Sequence, residues 1–276
     1  MACSEPAETV TTPTADALFA RLRGEAEATL RREPDLGGLV YGAILAQDSL
    51  ESVVGHRIAQ RLERPEAPYS VIRQAFAEHV ARDPVAAAAI RADLLAVLDR
   101  DPACNRLLEP VLYFKGFHAI QTYRLAHALW RGGRSDFALS LQSLSAQIFQ
   151  TDIHPAASIG HGFFLDHATG VVIGATAVVE DDVSMLHGVT LGGSGKSSGE
   201  RHPKVRRGVL IGAGAQILGN IEIGACALIA AGSVVLDNVP PHKTVAGVPA
   251  RVVGEAGALE PASAMDQVHD VIDAGI

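Results

Sequence analysis

The sequence predicts an α+β protein in two parts, an all-α N-terminal domain followed by a parallel β-helix with one extruded loop. Three observations predict it. Apolar residues in the first half recur at helical spacing, those after Asp152 recur every sixth residue, and the sixfold phase breaks once, across a stretch rich in Gly and Ser.

Residues 1–15, rich in Thr, Ala, Glu and Pro, are expected to be disordered, since they offer little apolar surface to offset the entropy of ordering. Residues 16–150 are expected to be helical. Val54, Ile58 and Leu62 fall at i, i+4 and i+8, as do Ile90, Leu94 and Leu98, which places each trio on one helix face. Asp83-Pro84 opens the second of these helices, a capping side chain followed by the residue suited to the first turn. Two more helices are predicted around Phe117–Trp130 and Phe137–Phe149, divided by Gly132-Gly133, with Ser135 or Asp136 capping the latter.

From Asp152 the period changes. Ile153, Ile159, Leu165, Val171, Ala177, Val183 and Val189 are six apart, and Ile211, Ile217, Ile223, Ile229 and Val235 keep that step. A hexapeptide repeat means short strands joined by tight corners and stacked as coils. Three hexads close a coil, so residues about 18 apart should stack, as Ile153, Val171 and Val189 would. Ala215, Ala227 and Ser233 suit the crowded interior near a corner, and Gly212 and Gly224 are assigned to corner backbone angles that a side chain resists.

Val189 and Ile211 lie 22 residues apart, which is not a multiple of six, so a loop must interrupt the register. By composition it is 192–204, GGSGKSSGERHPK. Strands of a β-helix bond between coils, so an extruded loop costs little, and loops on rigid scaffolds commonly carry function. The coils should stop at Val239-Pro240-Pro241, where two successive residues lack an N–H. The β-helical domain is set at 151–254 and a flexible tail at 255–276.

With 48% hydrophobic and 20% charged residues, the chain has ordinary globular composition. A formal net charge of -8 argues against nucleic-acid or anionic-membrane partners, both of which demand excess Lys and Arg. Cys3, Cys104 and Cys226 are too few and scattered for a disulfide framework or a zinc knuckle, which fits a reducing compartment. There is no secretory signal and no long apolar span, so a cytoplasmic location is expected.

Several segments are more specific than the repeat. Asp152-Ile153-His154-Pro155-Ala156, Leu165-Asp166-His167-Ala168-Thr169-Gly170, Thr190-Leu191-Gly192-Gly193, Arg201-His202-Pro203-Lys204 and Ala246-Gly247-Val248-Pro249-Ala250-Arg251 stand in the order and spacing of serine acetyltransferases. Upstream, Arg100-Asp101-Pro102-Ala103 and Tyr113-Phe114-Lys115-Gly116-Phe117-His118-Ala119 resemble that family's helical domain, and the resemblance covers roughly residues 35–276. It implies a left-handed β-helix, although parallel crossovers are right-handed in about 98% of cases. It also implies a trimer, or a hexamer of paired trimers joined through the N-terminal helices.

The implied reaction moves acetyl from acetyl-CoA to the L-serine hydroxyl, in cysteine biosynthesis. Such a transfer needs a base, and neutral imidazole suits it, with an unperturbed pKa of about 6.5. The family's base falls at His167, and the resemblance assigns the carboxylate behind it to Asp152, 15 residues earlier. His202 is a further catalytic candidate. Serine's ammonium would meet Asp101 and Asp166, and its carboxylate Arg201 and His202. Coenzyme A would lie between subunits, its amides against Gly193, Ala213 and Ala231 and its phosphates near Arg251 and Lys204. Gly193 N–H is a candidate oxyanion donor.

Cysteine, with the same ammonium and carboxylate, is expected as a feedback inhibitor, and no metal is expected. The chain ends in Ile276, which the resemblance assigns to docking in O-acetylserine sulfhydrylase. His118, His127, His154, His161 and His187 are read as structural. Three rivals remain: another acceptor such as homoserine or an amino sugar, a zinc carbonic anhydrase using three of His154, His161, His167 and His187, and a non-catalytic scaffold presenting its tail.

Overall fold

The computed structural model describes residues 15–195 and 198–267. The disorder expected for 1–15 therefore falls outside the described residues, apart from Ala15, which opens α1 (Ala15–Arg32). A 3-10 turn (Pro34–Leu36), α2 (Gly37–Val40) and a π-helical turn (Tyr41–Leu45) follow. Then come α3 (Leu50–Leu62), α4 (Tyr69–Arg82), α5 (Pro84–Arg100), α6 (Leu108–Leu112), α7 (Lys115–Arg131) and α8 (Ser135–Phe149).

Val54, Ile58 and Leu62 are buried together, as are Ile90 and Leu94. The Asp83 carboxylate accepts from Val85 N–H at 2.9 Å, the cap that its place before Pro84 predicts. α8 differs from expectation. Its N-cap is Arg134, without a side-chain bond, and Ser135 and Asp136 lie inside the first turn, where Asp136 still favours the helix dipole.

Five coils follow. The first holds β1 (Thr151–Ile153), β2 (Ser158–Ile159) and β3 (Phe164–Leu165). The second holds β4 (Val171–Ile173), β5 (Val178–Val179) and β6 (Ser184–Met185). The third holds β7 (Thr190–Gly192), β8 (Lys204–Val205) and β9 (Leu210–Ile211), and the fourth β10 (Gln216–Leu218), β11 (Glu222–Ile223) and β12 (Leu228–Ile229). The last has β13 (Val234–Val235) and β14 (Lys243–Gly247), after which β15 (Ala250–Glu255) turns back antiparallel on β14. Three parallel faces result: β1-β4-β7-β10-β13, β2-β5-β8-β11, and β3-β6-β9-β12-β14.

The stacking differs from the 18-residue expectation in one place. Ile153 pairs with Ile173, and Leu165 with Met185, each 20 residues on, so Val171 lies over Thr151 and not over Ile153. Two extra residues sit in the corner between β3 and β4. The third coil is longer still: Leu191 pairs with Ile217, 26 residues on, and the surplus is the loop between β7 and β8.

Two further expectations are corrected. The prolines do not end the coils, because β14 still pairs in parallel with β12. Pro240 and Pro241 occupy a corner, where Val239 O accepts from Gly224 N–H and no ladder donor is required of them. Gly212 and Gly224 are not left-handed corner residues. They are glycines because a Cβ would lie 2.6 Å from Ala231 N and 2.4 Å from Pro241 N, respectively.

The two halves are fastened by buried polar groups. Asp93, 0% exposed, binds Arg124 at 2.6 and 2.7 Å and accepts from Phe163 N–H at 3.1 Å, while Arg124 donates to Gly160 O at 2.8 Å. Tyr123 OH donates to Ala157 O at 2.6 Å. Arg100, at the end of α5, donates to Gly162 O at 2.9 Å and to Ser184 Oγ at 3.2 Å. These bonds hold the α5 terminus, and with it Asp101, against the first two coils. The tail also departs from expectation, since residues 255–267 pack: α9 (Pro261–Ala264) presents Ala262, 1% exposed, whose carbonyl accepts from Ser184 Oγ at 2.7 Å.

Candidate active site

The extra residues between β3 and β4 build the first half of the site. His167 and Ala168 take φ of 55° and 61°, two successive left-handed residues, at a cost of about 1–2 kcal/mol each. Ala168 is fully buried and anchors the turn, with Gly170 N–H donating to Gln150 O at 2.8 Å. His167 is thereby turned outward, its side chain 73% exposed and Nε2 3.6 Å from Asp166 Oδ2. α7 presses on the same corner through Gly116, where a Cβ would lie 1.9 Å from Leu165 O, and Lys115 binds Thr169.

Asp101, Asp166 and His167 line one cavity of about 670 Å³, walled by Phe114, Phe117 and Phe164 and by Met265 from the tail. Asp101 Oδ1 accepts from Ala103 N–H at 2.8 Å, which fixes its loop. Burial pushes the Asp166 carboxyl up; the His167 ring opposes that rise and the Asp101 charge adds to it. A cationic group entering the cavity would be drawn to both carboxylates.

The second half lies on a different corner, between the β1 and β2 faces. His202 Nδ1 meets Thr176 Oγ1 at 2.8 Å and accepts from Thr176 N–H at 3.2 Å, so the ring proton of neutral His202 is on Nε2. Thr176 Oγ1 in turn accepts from Arg201 N–H at 3.1 Å and His202 N–H at 3.2 Å. Gly174 makes room for the ring, since a Cβ there would lie 2.1 Å from His202 Nε2. Burial lowers the His202 pKa, and the charges of Arg201 and Lys204 lower it further. The result is a neutral N–H donor beside a guanidinium, a pair matched to a carboxylate. Gly193 packs at the same place, a Cβ on it meeting Arg201 Cδ at 3.3 Å.

The remaining predicted residues divide between these corners. Asp152 is on the outer face of β1, next to Thr151, whose Oγ1 donates to Ala168 O at 3.4 Å. Its carboxylate accepts from Gln142 Nε2 at 2.6 Å, and the carboxylate recorded beside His167 is Asp166. Ala213 and Ala231 follow β9 and β12 on the His167 corner, and Gly232 N–H donates to Ala213 O at 2.8 Å. Lys204 is taken up by Glu200 and by Thr176 O. Arg251 is exposed on β15, 3.9 Å from Asp237. Ile276 lies outside the described residues.

Sequence reasoning missed Thr176, Gly174 and Met265, none of which carries a motif of its own. The bland reading suits most other histidines. Burial pushes His118 down to about 3, with Nε2 2.8 Å from Val111 O. His154 packs on Trp130 at 5.2 Å, and His127 Nδ1 lies 2.8 Å from Pro155 O. His187 differs, because its ring meets His167 edge-to-face at 5.8 Å. Among the described residues no three His, Cys, Asp or Glu side chains are grouped to hold a metal.

Known proteins agree with this architecture. The family model described as "Serine acetyltransferase, N-terminal" matches residues 18–122, and "Bacterial transferase hexapeptide (six repeats)" matches 202–237. A serine acetyltransferase of Salmonella typhimurium is 50% identical over 262 residues, 94% of this chain and 96% of its own. The crystal structure of serine acetyltransferase in complex with coenzyme A from Brucella abortus is 60% identical with a TM-score of 0.86, covering 87% of this chain and 96% of that one. A serine acetyltransferase in complex with cysteine is 47% identical with a TM-score of 0.90, covering 92% of this chain and 99% of that one. The helical half, the left-handed hexapeptide β-helix and these likenesses together place the chain in the serine acetyltransferase family.

Proposed function

We propose that the protein transfers acetyl from acetyl-CoA to the hydroxyl of L-serine, giving O-acetylserine and CoA in cysteine biosynthesis. The observation that carries this is the cavity in which two carboxylates converge beside an exposed imidazole. Asp101 and Asp166 take the serine ammonium. His167 accepts the hydroxyl proton as the oxygen attacks the thioester carbon. The tetrahedral intermediate then collapses, the C–S bond breaks, and His167 returns the proton to the departing thiolate. Asp152, beside that corner, would steady the imidazolium.

The groups suited to serine's carboxylate, Arg201 and His202, sit on another corner of the same chain. The site is therefore completed by a second copy, with the His167 corner of one facing the Arg201-His202 loop of the next, as in a trimer. The coenzyme's amides run past Gly193, Ala213 and Ala231, and Arg251 is the free cation for its phosphates, whereas Lys204 is occupied by Glu200. Mixing decides this: His167→Ala and His202→Ala proteins, each inactive alone, should recover activity when co-expressed. No recovery would mean that each chain holds a whole site.

Cysteine should compete with serine, because it offers the same charged groups without the reacting hydroxyl. Inhibition that serine fails to relieve would contradict this. A steady-state assay comparing serine with homoserine and an amino sugar settles the acceptor. Deleting Ile276 should abolish binding to O-acetylserine sulfhydrylase and leave turnover intact. The reduced thiols point to the cytoplasm, and a hexamer of paired trimers is the assembly the family suggests.

A further inference from the structure

We propose that His187 is a positioning residue for His167; the inference rests on His167 being the base. Leu165 pairs with Met185, Met185 with Ile211, and Ile211 with Ile229. The residues two places further on, His167, His187, Ala213 and Ala231, therefore share one corner of four successive coils. Ladder bonds tie this column, Gly188 N–H to Thr169 O and Gly214 N–H to His187 O, each at 2.8 Å. The backbone beneath both rings is thus fixed.

The His167 ring is not fixed in the same way. Among the described residues, its recorded contacts are the Asp166 carboxylate at 3.6 Å and the His187 ring, with centroids 5.8 Å apart and planes at 69°. An ion-pair contact at that distance tolerates rotation, and a side chain 73% exposed has more than one staggered rotamer open to it. An edge-to-face aromatic contact selects one, shifting such an equilibrium by about 2- to 10-fold. His187 is the sole bulky member of the column above the base, with alanines over it. It closes one side of the space in which His167 can turn, leaving the ring directed at the cavity that holds Asp101 and Asp166.

The test is steady-state kinetics on His187→Ala and His187→Phe, with thermal melting to confirm folding, and His167→Ala alongside. His187→Ala should lower kcat about 3- to 10-fold and leave the serine KM within about 2-fold. His187→Phe keeps a flat ring without a titrating nitrogen and should restore kcat to within about 2-fold. Wild-type kcat in His187→Ala overturns the proposal. So does equal impairment of the two variants, which would show that a nitrogen is needed rather than ring packing. A change confined to the acetyl-CoA KM overturns it as well, by assigning His187 to the co-substrate. If His167→Ala keeps turnover, the base assignment itself fails, whatever the His187 variants do.

Discussion

Around His167 the backbone passes through two left-handed residues and leaves the side chain 73% exposed, whereas His202 is 7% exposed and tied through Thr176. Both corners belong to one β-helix, yet one spends stability to project a ring and the other gains stability by fixing one. The difference follows the chemistry. A base must meet a substrate hydroxyl and exchange protons with it, so it is placed outside the packed interior. A carboxylate donor must keep one orientation and one tautomer, so it is locked by hydrogen bonds.

The largest effect expected from breaking this contrast is at the exposed corner. His167→Ala should lower kcat by about 10²- to 10⁴-fold with little change in stability, read by steady-state assay and urea unfolding. At the locked corner, Gly174→Ala should act on both quantities. The new Cβ has no room beside His202, so the ring must move, raising the serine KM by on the order of 10-fold and costing about 1–3 kcal/mol of stability. If His202 tolerates the alanine, the corner is looser than its geometry indicates. Thr176→Val keeps the shape and removes the oxygen that accepts from Arg201 and His202 N–H. A loss of about 1–3 kcal/mol is expected, with kcat on saturating serine falling less than kcat/KM.

The smallest effects are in pH dependence. Burial holds Asp166 above the ordinary carboxylate range, so as pH falls it takes up a proton earlier than an exposed carboxyl would. Its attraction for an ammonium is lost in that direction, and the serine KM should rise on the acid side beginning above about pH 4. Asp166→Asn should give a higher KM from which that rise is missing. His202 shifts the other way and stays neutral at and above the ordinary histidine value of about 6.5, so Arg201→Ala should leave the neutral-to-alkaline profile unchanged in shape.

Much of this contrast was legible in residue spacing. The sixfold step located the coils, and the 22 residues from Val189 to Ile211 located the loop that carries Arg201 and His202. The insertion at His167 was hidden for a physical reason. In the second coil the interior takes apolar residues two apart, Val171 with Ile173 and Val183 with Met185, so a slip of two leaves an unbroken sixfold series. Thr176 and Gly174 were not legible, because their roles arise from a ring 26 or more residues away. The docking of Ala262 was missed because a small residue in an Ala, Gly and Pro stretch carries no periodic signal.

One rung of this spiral is lengthened by a pair of residues and another by eight, and the ladders on either side stay aligned. Each vertex can accordingly be lengthened or trimmed on its own, since the neighbouring rungs sense only where the chain leaves and re-enters the stack. A redesign for a bulkier alcohol would start at those two vertices and leave the aliphatic column inside untouched.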